Sequence, residues 1–266
     1  MSITASDVAK LRAATGVSML KCKKALEESN GDQEKALQIL RKQGEESAGK
    51  LASRSAKEGA IVEAISSDKK KGALALLSSE TDFVAGNEDF LKVAKQLAQI
   101  TLDENKEAAE AKSKALIPTL IAKLGENISL NAIQVLENKD GFVASYIHSN
   151  NKIGVLIAIN GEANEENIAA GRDAAMQVAA MNPDVANPEE VSNEAVEKEK
   201  EIWKDQLKKS GKPEAIFDKI MMGKEKKFRE EQALTTQPFI KNNDITVGQY
   251  LTQKKLKVVK FLRLAV

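Results

Sequence analysis

The segment Ser79-Glu80-Thr81-Asp82-Phe83-Val84-Ala85-Gly86-Asn87 sets an aromatic ring directly beside a carboxylate. A ring so placed is an apolar wedge, and the neighbouring acid accepts hydrogen bonds or repels another anion. Neither group alone is a reagent for covalent chemistry. Two readings of the pair are open. Phe83 folds back into the core while Asp82 caps the next helix, or both face a second molecule. On residue types alone the first is the commoner outcome.

Residues suited to bond chemistry are scarce. The chain has one histidine, His148, and one cysteine, Cys22. They cannot supply a zinc-type ligand cluster. A Cys–His pair would have to join a helical segment to a residue far along the chain. There is no P-loop and no Gly-x-Gly-x-x-Gly run. His148 reads as a structural hydrogen-bonder at a strand end, and Cys22 as a small core residue. An enzyme using carboxylates or lysines alone stays open, with nothing pointing to one.

Composition narrows the class further. Of 266 residues, 42% are hydrophobic and only 4% aromatic, so the core must be aliphatic. Lys plus Arg number 40 against 39 for Asp plus Glu, without the basic excess of a nucleic-acid or membrane-surface binder. No apolar run approaches the roughly 20 residues needed to span a bilayer. A single cysteine and no secretory pattern at Met1–Asp7 lead us to expect a reducing, cytoplasmic setting.

The elements that must position these residues follow from capping and periodicity. Residues 1–50 read as three short helices. Thr4 or Ser6 caps the first, which turns Val8 and Leu11 inward and ends at Gly16. Ser18 caps the second, which ends near Asn30-Gly31, and Asp32 caps the third, which runs to Gly44. So small a core is marginal alone, which suggests a tethered docking module. On the second helix Cys22, Ala25 and Leu26 share one face. Leu20 lies opposite them, with Met19 and Lys23 to its side, a surface that could meet a partner. Small polar residues over 51–58 read as a linker.

An internal repeat follows. Gly59–Ser66 and Gly72–Leu77 form one pair of apolar arms, Gly141–His148 and Gly154–Ile159 another. Both arms keep one offset, since 141 − 59 and 154 − 72 each give 82. Each pair reads as a β-hairpin followed by a helix, Asn87–Ile100 and Glu165–Met181. Closing strands are expected at Ile128–Leu136 and Val258–Leu264. The fold class is therefore α+β: a three-helix, ubiquitin-associated-like bundle, then two related half-domains with small antiparallel sheets and helices. We place one half-domain at 59–137 and the other at 138–192 with 232–266. Between the parts of the second, 193–231 reads as an inserted antiparallel helical hairpin. Its break is expected at Ser210-Gly211-Lys212-Pro213, and its seam at Val196, Ile202, Trp203, Leu207, Ile216, Ile220 and Phe228.

Several motifs, in order, resemble the elongation factor Ts family. They include Leu11-Arg12-x-x-Thr15-Gly16-x-x-Met19-x-x-Cys22-Lys23-Lys24-Ala25-Leu26 and Glu80-Thr81-Asp82-Phe83-Val84-Ala85 with Phe90. Gly125-Glu126-Asn127-Ile128, Ser145-Tyr146-x-His148, Gln237-Pro238-Phe239 and Thr246-Val247-Gly248 extend the resemblance over nearly the whole chain. It implies a guanine nucleotide exchange factor that binds elongation factor Tu, performs no bond chemistry and needs no cofactor. By the same resemblance Thr81, Asp82, Phe83 and Val84 intrude near the Mg²⁺ of the partner's nucleotide site. Burial of the Phe83 ring would contribute on the order of 1.5–3 kcal/mol. Met19, Leu20 and Lys23, with Ile240, would grip the nucleotide-binding domain, and His148 would add contacts from the second half-domain. The chain departs from the family pattern in three places. It ends at Val266 where many members continue, carries Gly86-Asn87 in place of a more basic stretch, and has Lys241 where some relatives have an apolar contact. The alternative is a general adaptor acting through the three-helix bundle alone.

Overall fold

The computed structural model describes residues 3–209, 213 and 216–266. Three helices open the chain: α1 (Ala5–Thr15), α2 (Met19–Glu28) and α3 (Gln33–Leu51). Thr4 caps α1 in a reciprocal box with Asp7, while Ser18 and Asp32 cap the next two. The third helix does not stop at Gly44. It runs seven residues on, to Leu51, because Gly44 lies against another helix, where an added Cβ would come 2.7 Å from the Pro118 carbonyl oxygen. Absence of a side chain here permits close helix contact, and helix exit is left to Ala52. Nor is the bundle merely tethered. Its core of Val8, Leu11, Val17, Cys22, Ala25, Leu26, Ala36 and Leu40 is completed by Ala122 from the body.

The body holds two three-stranded antiparallel sheets. β1 (Glu58–Ile65), β2 (Lys71–Ser79) and β3 (Ser129–Glu137) make the first, in that order. β4 (Gly141–Ile147), β5 (Ile153–Asn160) and β8 (Lys257–Ala265) make the second. The expected hairpins and closing strands are all present. Between β2 and β3 come the short α4 (Asp82–Ala85), then α5 (Glu88–Asp103) and α6 (Lys106–Leu124). After β5 comes α7 (Glu165–Met181).

The two sheets pack face to face. Ile61, Leu74, Leu76, Leu136, Val143, Leu156 and Ala158 form the layer between them. Alternate residues of the same strands face outward. Ala73, Ala75 and Leu77 meet Phe90 and Leu97 of α5, and Val155, Ile157 and Ile159 meet Ala170, Ala174 and Val178 of α7. Burial of both faces is why β2 and β5 read as near-continuous apolar runs.

The repeat is a geometric one too. Ile61 donates its amide to Asn151 (2.7 Å), and Val143, 82 residues after Ile61, donates to Lys69 (2.6 Å), 82 residues before Asn151. Each hairpin turn thus clasps the edge strand of the other. The register shift after Leu76 recurs after Ala158 at the same offset.

In the second half, α8 (Asn193–Lys209) and α9 (Phe217–Gln232) form the helical pair. Ser210, Gly211 and Lys212, expected at its turn, lie outside the described residues. Val196, Trp203 and Leu207 are buried in the seam, with Trp203 edge-on to Phe228 at 5.8 Å. Ile202 and Ile216 are exposed instead. Ile202 directly precedes the inward Trp203, and the roughly 100° step per residue carries it off the narrow contact stripe. β6 (Pro238–Phe239), β7 (Asn242–Thr246) and α10 (Val247–Gln253) lead into β8.

Candidate partner-binding site

The join after β2 is built to face outward. Thr81 is extended and caps α4, accepting the Val84 amide at 3.4 Å. One turn of helix then sends its first two and last two residues in opposite directions. Val84 and Ala85 turn toward the body, while Asp82 and Phe83 turn to solvent. Phe83 is 87% exposed, the most exposed large apolar side chain among the described residues. Neither half of the inward reading survives. The ring is outside the core, and the caps are Thr81 for α4 and Asn87 for α5, where Asn87 accepts the Asp89 amide at 2.9 Å. Asn87, a departure from the family pattern, thus has a local job in starting α5.

Turns and helices distant in sequence arrive at one end of the sandwich. β2 leaves the first sheet where Ser79 pairs with Glu58. Glu58 accepts from Lys152 at 2.5 Å, and Ile61 reaches Asn151, so the β4–β5 turn lies beside this exit. His148 begins that turn, exposed, with its Nδ1 3.0 Å from the Tyr146 hydroxyl. α6 ends here as well. Gly125 takes the left-handed conformation (φ 79°), and Glu126 beyond it bonds Thr81. One turn back, the Ala122 carbonyl accepts from Lys21 of α2 at 3.1 Å, which fixes α2 nearby. On the second sheet α7 runs back along β5. Its Ala179 carbonyl accepts from Arg263, the residue opposite Val155 next to the same turn.

Each candidate contact is presented by a buried neighbour. On α2, Cys22, Ala25 and Leu26 are fully buried, which leaves Leu20 63% and Met19 42% exposed on the far side. Lys23 is exposed and forms a surface pair with Glu27 at 3.7 Å. Ile240 is 42% exposed. Its amide donates to the Gln177 side-chain oxygen at 2.9 Å, and Gln177 in turn donates to the Pro238 carbonyl at 3.1 Å. Gln177, a fully buried amide on α7, was not singled out from sequence. Its only signal there is a polar residue amid the small apolar ones of a core helix. Lys241 points back to the body and bonds Asp173 at 2.6 Å.

Carboxylates also gather away from this end. A groove of about 630 Å³ under the helical pair is lined by Glu189, Glu225 and Glu230 among others. Glu225 is held below the usual carboxylate range by its bond to Lys200 first and by Arg229 second. A general acid needs the opposite shift. Among the described residues no group of three or more His, Cys, Asp or Glu side chains is placed to hold a metal ion. No helix there is long and apolar enough to cross a membrane.

Comparison with known proteins points to one family. The sequence model of the family described as Elongation factor TS matches residues 80–266. The chain is 44% identical to an elongation factor Ts of Acidithiobacillus ferrooxidans, over 100% of this chain and 92% of that protein. It is 42% identical to one from Aquifex aeolicus, over 97% and 95% of the two chains. With that of Halothermothrix orenii identity is 38%, over 99% and 92%.

Proposed function

The chain belongs to the elongation factor Ts family, and from that premise we propose that it binds GDP-loaded elongation factor Tu and promotes release of the nucleotide. Its role as a translation elongation factor follows from the family. The finer reading concerns how the residues act.

A guanine nucleotide held by a phosphate loop and Mg²⁺ leaves slowly, because metal, phosphate and backbone donors support one another. Disturbing the metal's surroundings weakens them together. In this reading Phe83 is the wedge, and Asp82 acts on the same site as acceptor or like charge. Thr81 and Val84 hold the turn that carries them. Met19, Leu20 and Lys23 of the N-terminal docking domain (1–50), together with Ile240, grip the nucleotide-binding domain, and His148 adds to the contacts made by the second half-domain. No cofactor, nucleic acid or membrane takes part, and the setting is the cytoplasm.

The observation that carries the reading is the exposure of Phe83 on a turn whose other side is anchored. A large ring left in water at the end where the other candidate contacts gather gains free energy only when a second molecule covers it. Linkage sets a further condition. If the chain weakens nucleotide binding, nucleotide must weaken the chain's own binding by the same factor. The nucleotide-free complex is therefore the tight one, and incoming nucleotide dissociates it.

The test is Phe83→Ala in a stopped-flow assay of fluorescent GDP leaving elongation factor Tu. Stimulated release should fall by about tenfold or more, with the melting curve unchanged, since the ring supports nothing in the free chain. Unaltered release would remove the wedge.

A further inference from the structure

The Thr81–Val84 turn is held by two carboxylates that exchange partners across the chain. Glu126 Oε2 accepts the backbone amides of Glu80 (3.1 Å) and Thr81 (3.0 Å), and its Oε1 accepts the Thr81 hydroxyl (2.7 Å). In return Glu80 Oε1 accepts the amide of Asn127, the residue after Glu126, at 2.7 Å. Arg54, in the segment joining the N-terminal bundle to the sheets, pairs with Glu80 at 3.6 Å. Its carbonyl accepts from the Asn127 side chain at 2.7 Å. One clasp therefore joins the bundle's tether, the exit of β2 and the junction of α6 with β3.

The related half-domain offers an internal control. Leu136 pairs with Gly72 and Leu264 with Gly154, so the closing strands are offset by 264 − 136 = 128. That offset puts Lys254 where the first half has Glu126, and the 82-residue offset puts Ala163 where it has Thr81. The second join is tied differently: Asn164 caps α7, and Lys254 pairs with Glu166 on that helix. Glu162 stands where the first half has Glu80, but Glu126, the carboxylate that accepts the amides of the first join, is replaced by a lysine. Glu126 occurs in the half that carries the exposed ring.

A helix of one turn does not persist on its own, and Phe83, turned to solvent, does nothing to hold it. We propose that Glu126 is a positioning residue for nucleotide exchange, clasping Glu80 and Thr81 so that Phe83 is already presented, at a set distance from the α2 surface, before the partner arrives. This rests on the reading of Phe83 given above. Its effect is preorganisation: the ordering cost of the turn falls on folding of the chain rather than on formation of the complex.

The experiment uses the full chain with Glu126→Gln, which keeps shape but removes the charge, and Glu126→Asp, which keeps the charge on a shorter arm. In the free protein, hydrogen exchange at the Glu80 and Thr81 amides should quicken by about tenfold or more in Glu126→Gln, and less in Glu126→Asp. GDP release stimulated by Glu126→Gln should fall by a comparable factor. In a Phe83→Ala background the same change should add less than about twofold, because the turn then carries nothing to position. Unchanged amide protection, or an equal loss with and without Phe83, overturns the positioning role while the wedge stands. Normal release by Phe83→Ala alone overturns the wedge and the positioning role with it, and the amide data then still report whether the clasp holds the turn.

Discussion

Gly154 lies against Ile61 across the two sheets, so closely that a Cβ on Gly154 would fall 2.5 Å from Ile61 Cγ2. The contact has a counterpart under the 82-residue repeat. A Cβ on Gly72 would fall 3.0 Å from Val143 Cγ1. The sandwich closes because each sheet offers a glycine to the other's isoleucine or valine. Gly154→Ala should therefore destabilise the chain by about 1–3 kcal/mol. Gly72→Ala should cost less, its contacts being longer. Urea midpoints of the two variants check the order, and equal stability to the parent would mean the sheets can part without cost.

Leu20 is predicted to matter for binding and not for folding. It stands opposite the buried face of α2, so Leu20→Glu should leave stability within about 0.5 kcal/mol. Association with nucleotide-free elongation factor Tu should weaken by about tenfold or more. Calorimetric titration gives the affinity, and an unchanged value takes this residue out of the interface.

Gln177 is predicted to act on Ile240 from inside. Gln177→Leu fits the space but leaves the Ile240 amide and the Pro238 carbonyl without their partner, at a cost of about 1–3 kcal/mol. Amide exchange at Ile240 should quicken, and affinity for the partner should drop although Gln177 itself is buried. Retained protection at Ile240 would show that the β6–β7 turn is held by something else, such as the Phe239–Tyr250 stack at 4.3 Å.

Tyr250 sets an alkaline limit on that same module. Its hydroxyl donates to Asp173 at 3.2 Å, and its pKa is pushed up to about 12, by burial first and by the Asp173 charge next. A raised folded-state value means that the folded chain keeps a proton the unfolded chain loses. The stability this contributes is full below the ordinary value of 10.0 and is lost as pH rises through about 12. Tyr250→Phe should flatten the fall in urea midpoint between about pH 9 and pH 11.5. An identical slope in both proteins would remove Tyr250 as its source.

Much of the fold was legible because it rests on local rules. Ser18 and Asp32 cap where their hydroxyl and carboxylate must, and Gly16 ends α1 in the left-handed conformation open to it. The 82-residue spacing foretold two like hairpins, since a period survives in sequence when both copies answer to the same packing. Gly44 misled because a glycine that ends a helix and one that admits a neighbouring helix look alike until Pro118 is placed beside it. Ile202 misled because a narrow seam leaves some apolar residues of a helix outside.

The candidate contacts divide the same way. Residue types by themselves marked the Asp82-Phe83 pair and the outer face of α2 as open between core and contact, and the resemblance to a known family pointed to Thr81–Val84 and to Ile240 as contacts. Which way Phe83 points was settled only in three dimensions, because the anchor for its turn, Glu126, sits 45 residues beyond Thr81. The gathering of α2, α4, His148 and Ile240 at one end was likewise a tertiary outcome. It follows from antiparallel pairing and from helices that run back along their strands, and no local pattern encodes a distance between segments that meet only when the sheets close.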